Sequence, residues 1–143
     1  ATAVARQWAA GLDELPALTP AGLRARRQAL GLSQAELANI LGVSQAAYAQ
    51  WETGTRAPRN PAQVSATLAD TEDQVNDLAQ QLARAAKTHA DHDSTRVATL
   101  TTLVNSSPVN SGGLSPALHR TATGHAYAQL RRAGYHPIIE GTR

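Results

Sequence analysis

Four residues between positions 45 and 50 have side chains suited to recognising the edges of nucleic-acid bases. A glutamine amide can pair with the N6 and N7 edge of adenine through two hydrogen bonds, and an alanine methyl group can meet the methyl group of thymine. A helix in the major groove presents base edges mainly through its N-terminal half. In this stretch those positions are Gln45, Ala46, Ala49 and Gln50.

The segment that must position these residues, SQAELANILGVSQAAYAQWETG, predicts two short helices separated by a tight turn. Ser33 begins the first helix, and Glu36 three residues later completes a capping box. Gly42 ends it, because a residue at this point commonly needs a positive φ. Ser44 caps the second helix and Gly54 ends it.

Apolar residues at helical spacing predict an inward face on each of these helices. The face of the first helix comprises Ala35, Leu37, Ala38 and Leu41. Val43 fills the turn, and helical phase directs Ala47, Tyr48 and Trp51 of the second helix inward.

The region from Leu23 to about Pro61 resembles the lambda-type repressor/Cro family of helix-turn-helix proteins, also called XRE-like. The resemblance rests on LRARRQALGLSQAELA, LGVS, the WETG signature and RAPRNP, in this order. It implies a bundle of about four or five short helices whose third helix contacts base edges. The alternative is an alanine-rich helical hairpin with no role in DNA binding. The family commonly has an aliphatic residue in place of Tyr48, so the environment of its hydroxyl group stays open.

An arginine on an apolar face predicts a buried ion pair. Thr19 and the following proline begin a helix that ends at Gly31. Its inner face places Arg27 between two leucines, and a buried charge without a partner is costly. In the family that this region resembles, the arginine at this position pairs with the glutamate of the third helix. The resemblance therefore implies a bidentate bridge between Arg27 and Glu52 that positions the recognition helix.

Polar residues beside the two helices are candidates for contacts with DNA phosphates. Free backbone N–H groups in the first turn of a helix suit a phosphate, which makes Gln34 a candidate clamp. For Arg24 and Arg26, phosphate contact and a solvated surface are both open. The candidate phosphate set is Ser33, Gln34, Ser44, Thr55, Arg56, Arg59 and Asn60.

A long helix is predicted from Pro61, after the cap Asn60, to about His89. Leu68, Val75 and Leu82 lie seven residues apart along it. This seam, with Thr71, Leu78 and Ala85 each three residues after one of its members, permits a coiled-coil dimer through residues 64–85 or a spine for the rest of the chain. We favour the spine.

The C-terminal part predicts a small β-α-β unit. Residues 96–104 are rich in β-branched residues and predict a strand, and NSSPVNSGG predicts a loop. Ser115 and its proline begin a helix that runs to about Ala133, and 135–140 forms a closing strand that Pro137 restricts to an edge or a strand start. Two strands alone are marginal, so the unit must lean on the long helix. The buried stripe of its helix is Leu118, Ala122, Ala126 and Leu130.

The helix of this unit offers a second contact with DNA through Ser115, His119 and Arg120. One chain would then recognise an asymmetric site with two elements. The alternatives are a structural tail and a dimerising tail.

The expected fold is mainly α, in three parts. Residues 1–60 form a helix-turn-helix domain with an extra N-terminal helix over 2–15, which carries Trp8 as a packing residue. Residues 61–92 form the linking helix, and 93–143 form a small α/β domain.

Composition excludes several kinds of chemistry. The 143 residues include no cysteine, and their net charge of +2 separates into basic ends and an acidic middle. No segment predicts a membrane span or a secretory signal, so a cytoplasmic protein of a prokaryotic cell is expected. We expect no enzyme, no self-cleavage, no cofactor and no metal, since His89, His92 and Asp93 lack the context of a metal site.

The sequence therefore indicates a sequence-specific regulator that binds double-stranded DNA, a repressor of the temperate-phage immunity type or a comparable bacterial regulator. An antitoxin that binds DNA through the same module and a partner protein through its C-terminal region is the alternative. A pure interaction module built on the heptad seam is a third hypothesis.

Overall fold

The computed structural model describes residues 18–103 and 114–142. The predicted class is confirmed: the described part is mainly helical, with a small two-stranded sheet near its C-terminal end. The chain divides into two compact units between Glu72 and Asp73. The elements are α1 (Pro20–Ala29), α2 (Gln34–Leu41), α3 (Gln45–Thr53), α4 (Pro61–His92), β1 (Val97–Leu103), α5 (Pro116–Arg132) and β2 (His136–Thr142). The predicted helix over 2–15 with Trp8, and the predicted loop NSSPVNSGG, lie outside the described residues.

Short polar side chains begin the first three helices, as predicted. Thr19 Oγ1 accepts a hydrogen bond from the backbone N–H of Gly22 at 2.9 Å. Ser44 Oγ accepts one from the backbone N–H of Ala47 at 3.1 Å. Ser33 and Glu36 form a reciprocal capping box with distances of 3.1 and 2.9 Å. Gly42 makes the turn between α2 and α3 with a φ of 73°, a conformation that a side chain disfavours.

The inward face of α2 is narrower than predicted. Leu37 and Ala38 are buried and Leu41 is half-buried, but Ala35 is exposed. The prediction for Ala35 was wrong because 100° per residue places it more than a quarter turn from the axis that the other three residues share.

The long helix α4 begins where Asn60 Oδ1 accepts a hydrogen bond from the backbone N–H of Gln63 at 3.1 Å. Leu68 and Val75 are 0% and 1% exposed, whereas Leu82 is only half-buried. Two of the three seam residues are thus covered within one chain, which favours the spine over the coiled coil. Within the described ranges, no helix is both long and apolar enough to cross a membrane.

The second unit forms the predicted β-α-β arrangement. β1 and β2 are parallel, with Val97 opposite His136 and Leu103 opposite Thr142, and α5 connects them. All four residues of the predicted α5 stripe are buried. Alanines of α4 share one apolar core with residues of β1 and α5, so the unit does lean on the long helix. The shared core contains Ala83, Ala86, Ala90, Ala98, Leu100, Ala126, Leu130 and Tyr135.

Pro137 lies in β2 at a position where its missing N–H group removes no hydrogen bond from the ladder. The N–H of His136 donates to the carbonyl of Arg96 at 2.7 Å. Backbone groups of alternate residues point to opposite edges of a strand, so those of Pro137 point away from β1. Its restriction to an edge strand follows directly.

Two glycines of the second unit should respond in opposite ways to a methyl group. Gly124 is exposed inside α5, and a Cβ atom there would meet no atom of the described residues within 4 Å. Gly124→Ala should raise the free energy of unfolding by about 0.5–1 kcal/mol, because glycine loses more backbone entropy in a helix. Urea denaturation followed by circular dichroism measures this change.

Gly134→Ala is the matched control. A Cβ atom at Gly134 also meets nothing within 4 Å, but the φ of this residue is +91°. The same substitution should therefore destabilise the chain, and a stabilisation by both variants would contradict this explanation.

Candidate nucleic-acid interface

The predicted base-reading residues form the outer face of α3. Gln45, Ala46 and Gln50 are exposed and Ala49 is partly exposed. The helix has this orientation because its opposite face is apolar and buried. Base recognition in a groove requires exposed polar side chains on a helix that the rest of the domain holds in place, and α3 has this arrangement.

Tyr48 and Trp51 provide that support beneath α3. They are 0% and 5% exposed, and their ring centroids lie 5.9 Å apart at 64°, an edge-to-face contact. Ala47 is half-buried beside them. The inward orientation of Tyr48 and Trp51 predicted from helical phase is confirmed.

The hydroxyl group of Tyr48 is buried beside Arg27 and Glu52 and has no hydrogen-bond partner among the described residues. Burial, together with the neighbouring Glu52 carboxylate, raises the pKa of Tyr48 far above its usual range, so the phenol stays protonated. The complete burial of this residue answers the question that the sequence left open: its hydroxyl reaches neither solvent nor phosphate.

A buried ion pair joins α1 to α3. Arg27 Nε lies 2.6 Å from Glu52 Oε2, and Arg27 Nη2 lies 3.1 Å from Glu52 Oε1. This is the bidentate bridge that the family resemblance implied. Arg27 Nη1 also donates to the backbone carbonyl of Leu32 at 2.9 Å. One guanidinium group therefore fixes the recognition helix and the segment that leads into α2.

The electrostatics of the pair favour its ionised form. Burial opposes ionisation of Glu52, but hydrogen bonds from Arg27 and Gln34, together with the nearby hydroxyl group of Tyr48, outweigh it and hold the pKa of Glu52 below its usual value. The carboxylate of Glu52 in turn raises the pKa of Arg27 against the opposing effect of burial. With Glu52 only 4% exposed, removing one partner leaves an uncompensated charge inside the domain.

Gln34 occupies the first turn of α2, as predicted, but its side chain has an additional contact. Its Nε2 donates to Glu52 Oε1 at 3.3 Å. The amide is thus held by the ion pair, while the residue remains half-exposed at the helix N-terminus. This contact links the candidate clamp to the helix that carries the base-reading face.

The other candidate phosphate residues are exposed around α2 and α3. Ser33, Ser44 and Asn60 use a side-chain oxygen as a helix cap. The Thr55 hydroxyl shares a hydrogen bond with that of Thr53 at 2.5 Å. The cations of this set are Arg56 and Arg59, and neither forms an ion pair with a described residue.

Arg26 differs from the expectation of an exposed basic residue. Its Nε donates to Glu72 Oε2 at 2.9 Å, and its Nη2 contacts the other oxygen of the same carboxylate. The side chain is 22% exposed, whereas Arg24 is exposed. Arg26 therefore ties α1 to α4. Sequence reasoning missed this pair because 46 residues separate its members and no local pattern connects them.

The second DNA patch, predicted at Ser115, His119 and Arg120, is wrong for its central member. His119 is 7% exposed, and burial lowers the pKa of its imidazole, which favours the neutral form. His119 lies on α5 beside Leu118 and Ala122 of the predicted buried stripe, so its side chain is buried together with theirs. Ser115 Oγ caps α5 by accepting a hydrogen bond from the N–H of Leu118 at 3.3 Å, and Arg120 is exposed.

Two capped helices at a tight turn, with a polar edge on the second and a buried support beneath it, define a DNA-binding helix-turn-helix domain. Residues 23–61, about a quarter of the chain, match the helix-turn-helix family. This segment is therefore a helix-turn-helix domain of the XRE type, and its presence supports a role of the protein as a DNA-binding transcription regulator. No curated protein matches the chain.

Replacing Arg27 by methionine should destabilise the domain by about 3 kcal/mol, because Glu52 is left buried without its counter-charge. Chemical denaturation at neutral pH measures the loss. The double variant Arg27→Met/Glu52→Met is the control and should recover most of it. A single variant as stable as the parent chain would contradict the structural role of the pair.

Arg27→Met should also change how the stability of the domain depends on pH below neutrality. The pKa of Glu52 lies below its ordinary 4.5, so its ionisation stabilises the parent chain above that pH, and this stabilisation disappears as the pH falls through the folded value. In Arg27→Met burial dominates and raises the pKa of Glu52. The contribution of Glu52 to stability should then increase as the pH falls, which thermal unfolding between about pH 3 and 7 can measure.

Tyr48→Phe should leave stability unchanged or raise it slightly, within about 1 kcal/mol, because it removes a buried hydroxyl without a described partner and keeps the ring contact with Trp51. Tyr48→Ala is the matched control and should cost about 3–5 kcal/mol through lost packing. A large loss in Tyr48→Phe, measured by denaturation, would show that the hydroxyl group does stabilise the fold.

Proposed function

We propose that the protein is a repressor that occupies operator DNA and blocks access of RNA polymerase. The observation that supports this most strongly is the exposure of Gln45 and Gln50 on α3 above the buried Tyr48 and Trp51. In this proposal α3 lies in the major groove, and the two glutamine amides pair with adenine edges.

The remaining residues of the interface divide by chemistry. Ala46 and Ala49 present methyl groups suited to thymine. Arg56 and Arg59 supply charge for phosphates, and the polar residues at the start of α2 and α3 supply hydrogen bonds. Phosphate contacts set the register and the salt dependence of binding, whereas base contacts set its sequence preference.

A temperate-phage immunity repressor or a comparable bacterial regulator fits the size and organisation of the chain, acting on DNA in a prokaryotic cytoplasm. Such a repressor would bind either as two copies on a near-palindrome or as one chain on an asymmetric site. The burial of Leu68 and Val75 disfavours a dimer through residues 64–85. Selection of bound duplexes from a random pool, followed by the mass of the complex, distinguishes the two arrangements.

An antitoxin is the second candidate, and one observation favours it. Val97 and Ile138 are 43% and 47% exposed and share one face of the sheet of the second unit, because Val97 pairs with His136, two residues before Ile138. Exposed apolar residues that lie together are typical of surfaces that bind another protein. A toxin that co-purifies with the chain and is lost in Ile138→Ser would favour this function over a repressor that acts alone.

Gln45→Ala should weaken binding by about 1–3 kcal/mol at one base pair of the selected site and leave the other positions unaffected. Affinities for a set of single-base-pair variants measure this, because only the contacted position should lose its preference. Equal weakening at every position would remove Gln45 from the base-reading set.

Arg56→Ala is the matched control at the edge of the same interface. It should weaken binding to all duplexes alike and reduce the salt slope by about 1, because it removes a phosphate contact and not a base contact. Titrations at several salt concentrations measure the slope, and an unchanged slope would exclude Arg56 from the phosphate set.

A further inference from the structure

A cavity of about 370 Å³ opens beside the recognition helix, between the end of α2, α3 and the start of α4. Its volume lies at the lower end of the range of about 300–1,000 Å³ that small-molecule sites span. The proposed base contacts of α3 do not use this space, although Arg56 and Arg59 of the candidate phosphate set border it.

Apolar side chains form the inner wall of the cavity. Leu41, Val43 and Ala47 line it and are only half-buried, so apolar surface stays open within the first unit. Trp51 lies deeper at 5% exposure, and Val64 of α4 closes the wall at 8%. Such a wall suits a flat hydrocarbon or aromatic group.

Two cations complete the lining. Arg56 and Arg59 border the cavity, both are exposed, and neither forms an ion pair with a described residue. None of the described residues that line it is acidic. A ligand with an apolar body and an anionic end therefore matches both parts of the site.

We propose that this cavity binds a small amphipathic anion, an aromatic ring system that carries a carboxylate or sulfonate, and that this ligand releases DNA. The ring occupies the space over Val43, Ala47 and Trp51, and the anionic group contacts Arg56 and Arg59. The release of DNA rests on the proposed function, in which the same two arginines contact phosphates. Ligand and DNA then compete for the same guanidinium groups.

The binding step is tested with 8-anilinonaphthalene-1-sulfonate, whose fluorescence rises in an apolar site, on the full chain. We expect saturable binding of one molecule per chain. Val43→Phe fills the cavity and should weaken binding about tenfold or more. Ile138→Ser, which removes an exposed apolar side chain of the second unit, is the control and should leave binding unchanged.

The contribution of the anionic group to binding is tested with a neutral analogue of the sulfonate. N-phenyl-1-naphthylamine has the same ring system without the sulfonate. The surface double variant Arg56→Gln/Arg59→Gln should lower the affinity for the sulfonate to that for the neutral compound and leave the neutral compound unaffected. Because these residues are exposed, this comparison remains informative even where Val43→Phe does not fold.

Competition is then measured by fluorescence anisotropy of a duplex selected from the random pool. The apparent Kd for DNA should rise linearly with the concentration of free sulfonate, as competition for one site requires. Loss of sulfonate binding in Ile138→Ser, or its retention in both cavity variants, would overturn the site. Normal DNA binding in the presence of saturating ligand would overturn the competition, whereas a chain that binds no duplex would contradict the proposed function and leave the binding result standing.

Discussion

The ion pair between Arg27 and Glu52 is the interaction on which the interface depends. It places a carboxylate that is 4% exposed against a guanidinium group that is 13% exposed. Nearly all of its strength comes from good geometry within a desolvated site, since exposed pairs contribute little. The same carboxylate accepts a hydrogen bond from Gln34, so one buried charge connects α1, α2 and α3.

The recognition helix therefore has two faces with different physical roles. Burial of Tyr48 and Trp51 supplies the favourable free energy that holds α3 against the domain. Glu52 fixes its orientation through a directional contact, which apolar packing alone does not provide. The exposed glutamines are not part of the buried core, so their side chains are available to contact a base edge. A short helix of nine residues can be rigid only because its neighbours hold it in this way.

Features encoded by neighbouring residues could be predicted from the sequence. Caps and glycines fixed the bounds of α1, α2 and α3 to within about a residue, because capping is a local interaction of a few residues. The β-α-β order of the second unit also followed, since its strand and helix patterns were distinct and Pro137 restricted the second strand. The bridge between Arg27 and Glu52 needed the family resemblance in addition.

Features that depend on distant packing could not be predicted. The contact between Arg26 and Glu72 joins residues far apart in sequence, and the burial of His119 depends on how α5 packs. Ala35 is a different case, because the spacing of 100° per residue already places it away from the buried face of α2 and the prediction did not take this into account. For the contact between Arg26 and Glu72, the local pattern was compatible with several environments, and tertiary packing selected one.

The central claim is that the amides of Gln45 and Gln50 contact base edges while the underside of α3 stays in place. Nuclear magnetic resonance of the side-chain amide groups, recorded as the selected duplex is added, tests it most directly. The account predicts large shifts for the Gln45 and Gln50 amides and unchanged ring signals for Tyr48 and Trp51. Unshifted glutamine amides in a saturated complex, with shifts confined to the second unit, would contradict it.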